Sequence, residues 1–118
     1  MQVKFSTRGT TLIVNISGEL DHHYAEYVRQ KIDSEIIKAT TRNIVFNFTG
    51  LSFMDSSGIG VIAGRYRNIQ KLDGKAAIVS DNQQINRILE MSGLFKIIPL
   101  YDTLDQAVSS LHAGQQAG

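Results

Sequence analysis

Phe53-Met54-Asp55-Ser56-Ser57-Gly58-Ile59-Gly60 lies between a buried-looking strand and an amphipathic helix, and its reading decides the fold. An aspartate, two serines and a glycine stand where a helical pattern opens, which puts hydroxyls at the positive end of a helix dipole, a place that favours anions. A hydroxyl there has three uses: to accept a phosphoryl group, to contact a bound phosphate, or to cap the helix. Before it, residues 43–48 alternate as a strand, with Ile44, Phe46 and Phe48 on one face and Val45 and Asn47 on the other. Residues 49–55 read as a loop. After it, a helix runs to about Lys71 with Ile59, Ile62, Tyr66 and Ile69 on its core side. Gly60 and Gly64 lie one turn apart on another side of that helix. Each costs about 1 kcal/mol relative to alanine; close backbone packing is the expected compensation, and approach of a partner is the alternative.

Working outward, residues 2–6 and 12–17 read as two strands of a hairpin turning at Arg8-Gly9. The second puts Leu12, Val14 and Ile16 on one face and Ile13, Asn15 and Ser17 on the other. Asp21 is the expected N-cap of a helix carrying Ala25, Val28, Ile32 and Ile36 inward and Glu26, Arg29, Gln30 and Asp33 on a wet face. Downstream, Asp73-Gly74 is a turn and residues 75–79 a strand. Asp81 or Ser80 caps a helix with Ile85, Ile88 and Leu89 inward, and Gly93-Leu94 forms its C-terminal stop. Residues 95–98 are expected as the last strand, ended by Pro99. Asp102 opens a final helix with Leu104, Ala107, Val108 and Leu111 inward. Strand, helix, strand repeated three times predicts parallel neighbours joined by right-handed crossovers. Unequal strand faces predict helices mainly on one side.

The 118 residues are enough for one domain with its own core, expected over 1–112 with 113–118 as a polar tail. With 12 basic and 11 acidic side chains and a formal net charge of +1, steering toward nucleic acid or an anionic membrane is not indicated. Cysteine is absent, which removes disulfides, thiol nucleophiles and thiolate metal sites and fits a reducing cytoplasmic setting. No apolar run approaches the ~20 residues of a membrane span.

Several chemistries compete for the serine-rich turn. Gly58-x-Gly60-x-x-Ala63, with Asp81 further on, matches a dinucleotide-binding fingerprint. That fingerprint requires a tight strand-to-helix turn, whereas seven residues separate Phe48 from Ser56 in this reading. A serine hydrolase elbow requires Gly-x-Ser-x-Gly, but Met54 and Asp55 occupy the positions two before Ser56 and Ser57. His22, His23 and His112 are assigned surface or capping roles rather than that of a base. No metal-ligand pair stands at helical i, i+4 spacing. A third possibility is a serine that another enzyme modifies. Phosphorylation adds about 1.5 to 2 negative charges, which a helix N-terminus tolerates while a docked surface does not.

Gly18-Glu19-Leu20-Asp21, Leu51-Ser52-Phe53-Met54-Asp55-Ser56-Ser57-Gly58-Ile59-Gly60-Val61 and Met91-Ser92-Gly93-Leu94-Phe95 together resemble the STAS-domain anti-sigma factor antagonists, and in particular the sporulation branch acting on the anti-sigma F factor in endospore-forming bacteria. The resemblance spans residues 3–111. It implies an α/β fold: a single STAS domain, a mostly parallel sheet with an N-terminal hairpin strand, and helices mainly on one face as a βα superhelix. It implies a non-enzymatic, cofactor-free cytoplasmic protein, expected as a monomer without nucleic acid or membrane partners. By this resemblance the unphosphorylated form binds the anti-sigma factor, a serine kinase, in its ADP-bound complex with sigma F, and sigma F is released. With ATP the kinase phosphorylates and inactivates the antagonist, and a PP2C-type serine phosphatase restores it.

The second serine of the matching motif, Ser57, is the implied acceptor, and Asp21 falls where the family contacts its kinase. The residues themselves leave Ser56 and Ser57 open, since helical neighbours are ~100° apart. Asp55 is expected to cap the helix, Ser56 to bond the local backbone, and Asp21 to cap its own turn. The implied docking surface comprises Asp21, Asp55, Ser56, Ser57, Gly58, Gly60 and Gly64. A stress-response partner-switching regulator is one alternative reading, and a small nucleotide-binding module is another.

Overall fold

Alternating apolar residues on the central strands divide the molecule into layers. The computed structural model describes residues 1–38 and 40–116. In chain order the elements are β1 (Gln2–Arg8), β2 (Thr11–Leu20), α1 (Ala25–Lys38), β3 (Asn43–Met54), α2 (Ser56–Lys71), β4 (Ala76–Val79), α3 (Gln83–Met91), a 3-10 turn (Leu94–Lys96), β5 (Leu100–Tyr101) and α4 (Leu104–Gln116). The strands form one sheet in the order β1-β2-β3-β4-β5. The β1-β2 pair is antiparallel and the remaining pairs are parallel. The hairpin closes over Gly9-Thr10 with Gly9 at φ 60°, the pattern of a turn whose first central residue must be left-handed.

Leu12, Val14, Ile16, Ile44, Phe46, Phe48, Ala76 and Ile78 line one sheet face, covered by Val28 and Ile32 of α1, Val61, Ile62 and Ile69 of α2, and Ile85 and Leu89 of α3. Strands added in sequential order by crossovers of one hand keep their helices on one side. The other face is narrower: Ile13, Val45, Ala77 and Val79 pack against Ala107, Val108 and Leu111 of α4. Asn15 and Asn47 lie beyond that cover and bond each other, Asn47 Nδ2 donating to Asn15 Oδ1 at 2.8 Å. The expected inequality of the strand faces has this cause.

Five local expectations are revised. Residues 49–55 are not a loop: β3 continues to Met54, paired with β2 as far as Leu20↔Met54, with register shifts between Asn15 and Ser17 and between Gly18 and Glu19. The last strand is not 95–98; Leu94 and Ile98 are buried on a helical turn and β5 follows Pro99. Neither Asp81 nor Ser80 caps α3; Asn82 Oδ1 accepts from the Gln84 and Ile85 N–H groups at 2.9 and 3.2 Å. Asp102 does not open α4 either, since Thr103 Oγ1 accepts from Gln106 N–H at 3.2 Å. Finally, His112 is neither a cap nor free at the surface: its Nε2 lies 3.1 Å from Thr11 Oγ1, tying α4 to the sheet. Of the expected tail, positions 117 and 118 lie outside the described residues.

The turn after α2 shows how tightly the chain is folded against itself. Asp73 takes a left-handed φ of 58°, and a Cβ at Gly74 would sit 1.5 Å from the Arg42 carbonyl oxygen. Arg42 is held by its N–H bond to Thr10 O at 2.8 Å. Gly74→Ala is therefore expected to lower stability by about 3 kcal/mol or more, read as a lower urea midpoint.

Candidate functional site

Because β2 and β3 run parallel and paired to Leu20↔Met54, the next residue of each, Asp21 and Asp55, leaves the sheet at the same edge and side by side. Asp55 N–H donates to Leu20 O at 3.3 Å. The Asp55 backbone is extended (φ −119°, ψ −171°) and its Oδ1 accepts from Ser57 N–H at 2.8 Å, the geometry of a helix N-cap. Its second oxygen is engaged elsewhere, Oδ2 accepting from His22 N–H at 3.1 Å. One carboxylate thus starts α2 and also holds the turn that leads into α1.

That turn is closed by Asp21. Tyr24 N–H donates to Asp21 O and to Asp21 Oδ1, each at 3.2 Å, and Ala25 N–H donates to Asp21 O at 2.9 Å. Asp21 therefore caps the lead-in turn, and α1 itself opens at Ala25. Ser56 is exposed and Ser57 half-buried. Among the described residues neither serine hydroxyl has a hydrogen-bond partner, so the local backbone bond expected for Ser56 is not made; the capping role belongs to Asp55. His22 and His23 are exposed beside the same edge, and Phe53, opposite Glu19 in the strand register, is 47 % exposed.

The STAS domain model matches residues 2–107. The chain belongs to the STAS domain family. It is 43% identical over 111 residues to the anti-sigma F factor antagonist of Paenibacillus polymyxa, covering 94% of this chain and 95% of that protein. The fold superposes on the unphosphorylated form of the anti-sigma factor antagonist SpoIIAA with a TM-score of 0.82 at 29% identity, covering 95% of this chain and 97% of the other. It also matches the phosphorylated form of the Bacillus cell fate determinant SpoIIAA, with a TM-score of 0.72 at 30% identity over 92% of this chain and 98% of the other.

In this STAS domain the dinucleotide reading loses its original objection, because only Asp55 separates β3 from α2. The sheet order supplies another. Strands follow one another without reversal, so the described residues form no switch-point crevice of the kind in which such cofactors lie. Among the described residues no cluster of potential metal ligands occurs, and no helix is long and apolar enough to cross a membrane.

The three glycines of α2 divide in an unexpected way. A Cβ on Gly58 would lie 2.8 Å from Met54 Cγ and 3.0 Å from Leu20 Cγ, so this glycine lets the helix start settle on the ends of both strands. A Cβ on Gly60 would meet nothing within 4 Å, and one on Gly64 only Arg67 Nη2 at 3.9 Å. Among the described residues, the close packing expected as compensation for the last two is not present.

Sequence reasoning also placed Asp33 on a wet face and passed over Arg65. Arg65 is 8 % exposed and its Nε lies 2.8 Å from Asp33 Oδ1. The approach is too bent for a hydrogen bond, and Arg65 Nη1 is also without a directed acceptor among the described residues. Burial pushes the Arg65 guanidinium below its ordinary pKa while Asp33 pulls the other way. Asp33 Oδ2 accepts from Arg29 Nη1 at 3.2 Å, and Arg29 also pairs with Glu26, whose carboxyl it holds below the usual range. The pair therefore joins α1 to α2. The available signal was Arg65 itself, standing on the Val61, Ile62, Ile69 stripe, where a buried cation requires an acid from a neighbouring element.

Gly60→Ala is expected to raise stability by about 0.5 to 1 kcal/mol, the usual helix-interior gain where the methyl meets nothing. Gly58→Ala should lower it by about 1 to 3 kcal/mol through overpacking against Met54 and Leu20. Urea unfolding of the two variants side by side checks both signs.

Proposed function

We propose that this protein is an anti-sigma factor antagonist switched by phosphorylation, not an enzyme: its unphosphorylated form binds an anti-sigma factor kinase and frees sigma F for sporulation transcription. The single observation that carries this reading is the pair of hydroxyls, Ser56 and Ser57, presented at the start of α2 without internal partners and fastened through Asp55 to the Asp21 turn. The 43% identity with an anti-sigma F factor antagonist over nearly the whole chain supports the sigma F assignment. The match to a phosphorylated SpoIIAA supports the switch.

Ser57 is the proposed acceptor. Its N–H is fixed by Asp55, so its place relative to a docked kinase is set by the fold rather than by a loop. The docking surface is proposed to be built from Asp21, Asp55, Ser56, Ser57, Gly58, Gly60 and Gly64, in which Asp55 ties the two turns together and buried Gly58 seats the start of the helix, with half-exposed Phe53 beside them as an aromatic anchor of the kind that dominates interfaces. Gly60 and Gly64, open on their outer side, let a partner approach the α2 backbone. The proposed setting is cytoplasmic, with a PP2C-type phosphatase reversing the modification.

A phosphate on Ser57 brings about 1.5 to 2 negative charges to a helix N-terminus, where the dipole offsets ~0.3 to 1 kcal/mol. The fold survives. Against a docked surface, the same charge is uncompensated, and each 1.4 kcal/mol is tenfold in affinity. Incubation with the anti-sigma factor and labelled ATP, followed by site mapping, tests the assignment. Ser57→Ala is expected to bind the anti-sigma factor and to take up no phosphate; stoichiometric labelling of that variant at Ser56 contradicts the choice of serine. Ser57→Asp is expected to lose tenfold or more in affinity with a Tm within about 4 °C of wild type, less than ~1 kcal/mol of stability. Loss of both together would mean a folding defect.

A further inference from the structure

The geometry points to Asp55 as a positioning residue, whose second carboxylate oxygen orders the Asp21–Tyr24 turn against the serine pair, so that docking depends on a contact inside the chain rather than on Asp55 touching the partner. The inference rests on the proposed docking reading and adds the device that makes two separate turns one surface. Both oxygens of the carboxylate are engaged: Oδ1 by Ser57 N–H at 2.8 Å and Oδ2 by His22 N–H at 3.1 Å. A cap needs only one acceptor. Asparagine caps helices as well as aspartate does, so the cap alone does not explain why a carboxylate stands here; donors on opposite oxygens do, because in asparagine one of those two positions is an NH2 group that donates and cannot accept.

The donor belongs to a well-defined turn. Asp21 O accepts from Tyr24 N–H at 3.2 Å, which makes His22 the second residue of a four-residue turn and leaves its N–H pointing away from the turn's own bond. Asp55 Oδ2 takes that N–H. The β2–β3 pairing brings the two chain segments to the same edge, and Asp55 N–H to Leu20 O at 3.3 Å is the last backbone bond between them. Beyond that bond, the Asp55 carboxylate is the polar contact that continues from one segment to the other.

Two substitutions break the contact from opposite sides. Asp55→Asn keeps a cap for Ser57 N–H and loses simultaneous acceptance from His22. His22→Pro removes the N–H and leaves the carboxylate intact, at the turn position where proline is favoured; His22→Ala, which keeps the N–H, controls for loss of the imidazole. In the isolated protein, amide hydrogen exchange should show His22 exchanging at least tenfold faster in Asp55→Asn, with Ser57 protected to within about threefold of wild type. Affinity for the anti-sigma factor, by calorimetry, should fall about tenfold in Asp55→Asn and in His22→Pro, less in His22→Ala, and no further in the Asp55→Asn/His22→Pro double variant. Unchanged His22 protection in Asp55→Asn overturns the contact. A faster-exchanging His22 with wild-type affinity overturns the positioning role, and additive losses in the double variant mean that Asp55 meets the partner directly. If wild type itself does not bind the anti-sigma factor, the docking reading fails, and the exchange data still decide whether the contact exists.

Discussion

The parallel register of β2 with β3 is the constraint on which the rest of the structure depends. It carries two strands past the point where simple alternation ends, through two register shifts, and brings Leu20 opposite Met54. Each strand then gives way to a helix-bearing turn, and the turns emerge as neighbours. Gly58 is required at this place because Leu20 and Met54, the last residues of that register, would touch any Cβ there. Had the pairing stopped at Asn47, Asp21 and Asp55 would belong to unrelated loops.

Polar contacts between α1 and α2 extend the same constraint away from the sheet. The Asp55 carboxylate meets His22 at the start of the pair, and the Asp33–Arg65 contact joins them further along. Arg65 stands ten positions after Asp55 and Asp33 eleven positions after His22, comparable advances of about 15 Å if both segments rise as helices do. The helices are therefore tied at two levels by groups that discriminate one register from another, whereas the Val28, Ile32, Val61 and Ile62 contacts between and beneath them are non-directional. A surface made from both N-termini requires that kind of definition.

Much of this was legible in the residues. The hairpin, the parallel βα order, the sidedness of β2 and β3 and the inward residues of α4 follow from period-two and helical spacing. The Asp55 cap follows from residue type. What was not legible has identifiable causes. Phe48, Leu51 and Met54 are buried three residues apart because the β2–β3 pair is bulged, so a continuing strand looked like a loop. Residues 94–98 form a short apolar run whose helical and extended readings are equivalent until Leu94 and Ile98 are seen to share a buried turn. The caps at Asn82 and Thr103 were displaced by one residue, within the ordinary uncertainty of helix ends. Asp33 was read from its own helix alone, although its partner stands on another, and the open outer side of Gly60 and Gly64 emerges only from the packing around α2. The serine pair was legible from its place at the start of a helix, and Ser57 as acceptor came from the resemblance; the second bond of Asp55 required the fold.

The central claim is that the two turns and the outer side of α2 act as one docking surface. The most direct measurement is the backbone amide spectrum of the isotopically labelled protein titrated with the anti-sigma factor. Residues 21–24, 53–60 and 64 are predicted to change together along a single binding curve, while Asn15, Asn47 and the α4 face remain unmoved. Changes centred on the Asn15–Asn47 sheet face or on α4, with the Asp21 and Asp55 turns unaffected, would contradict the account.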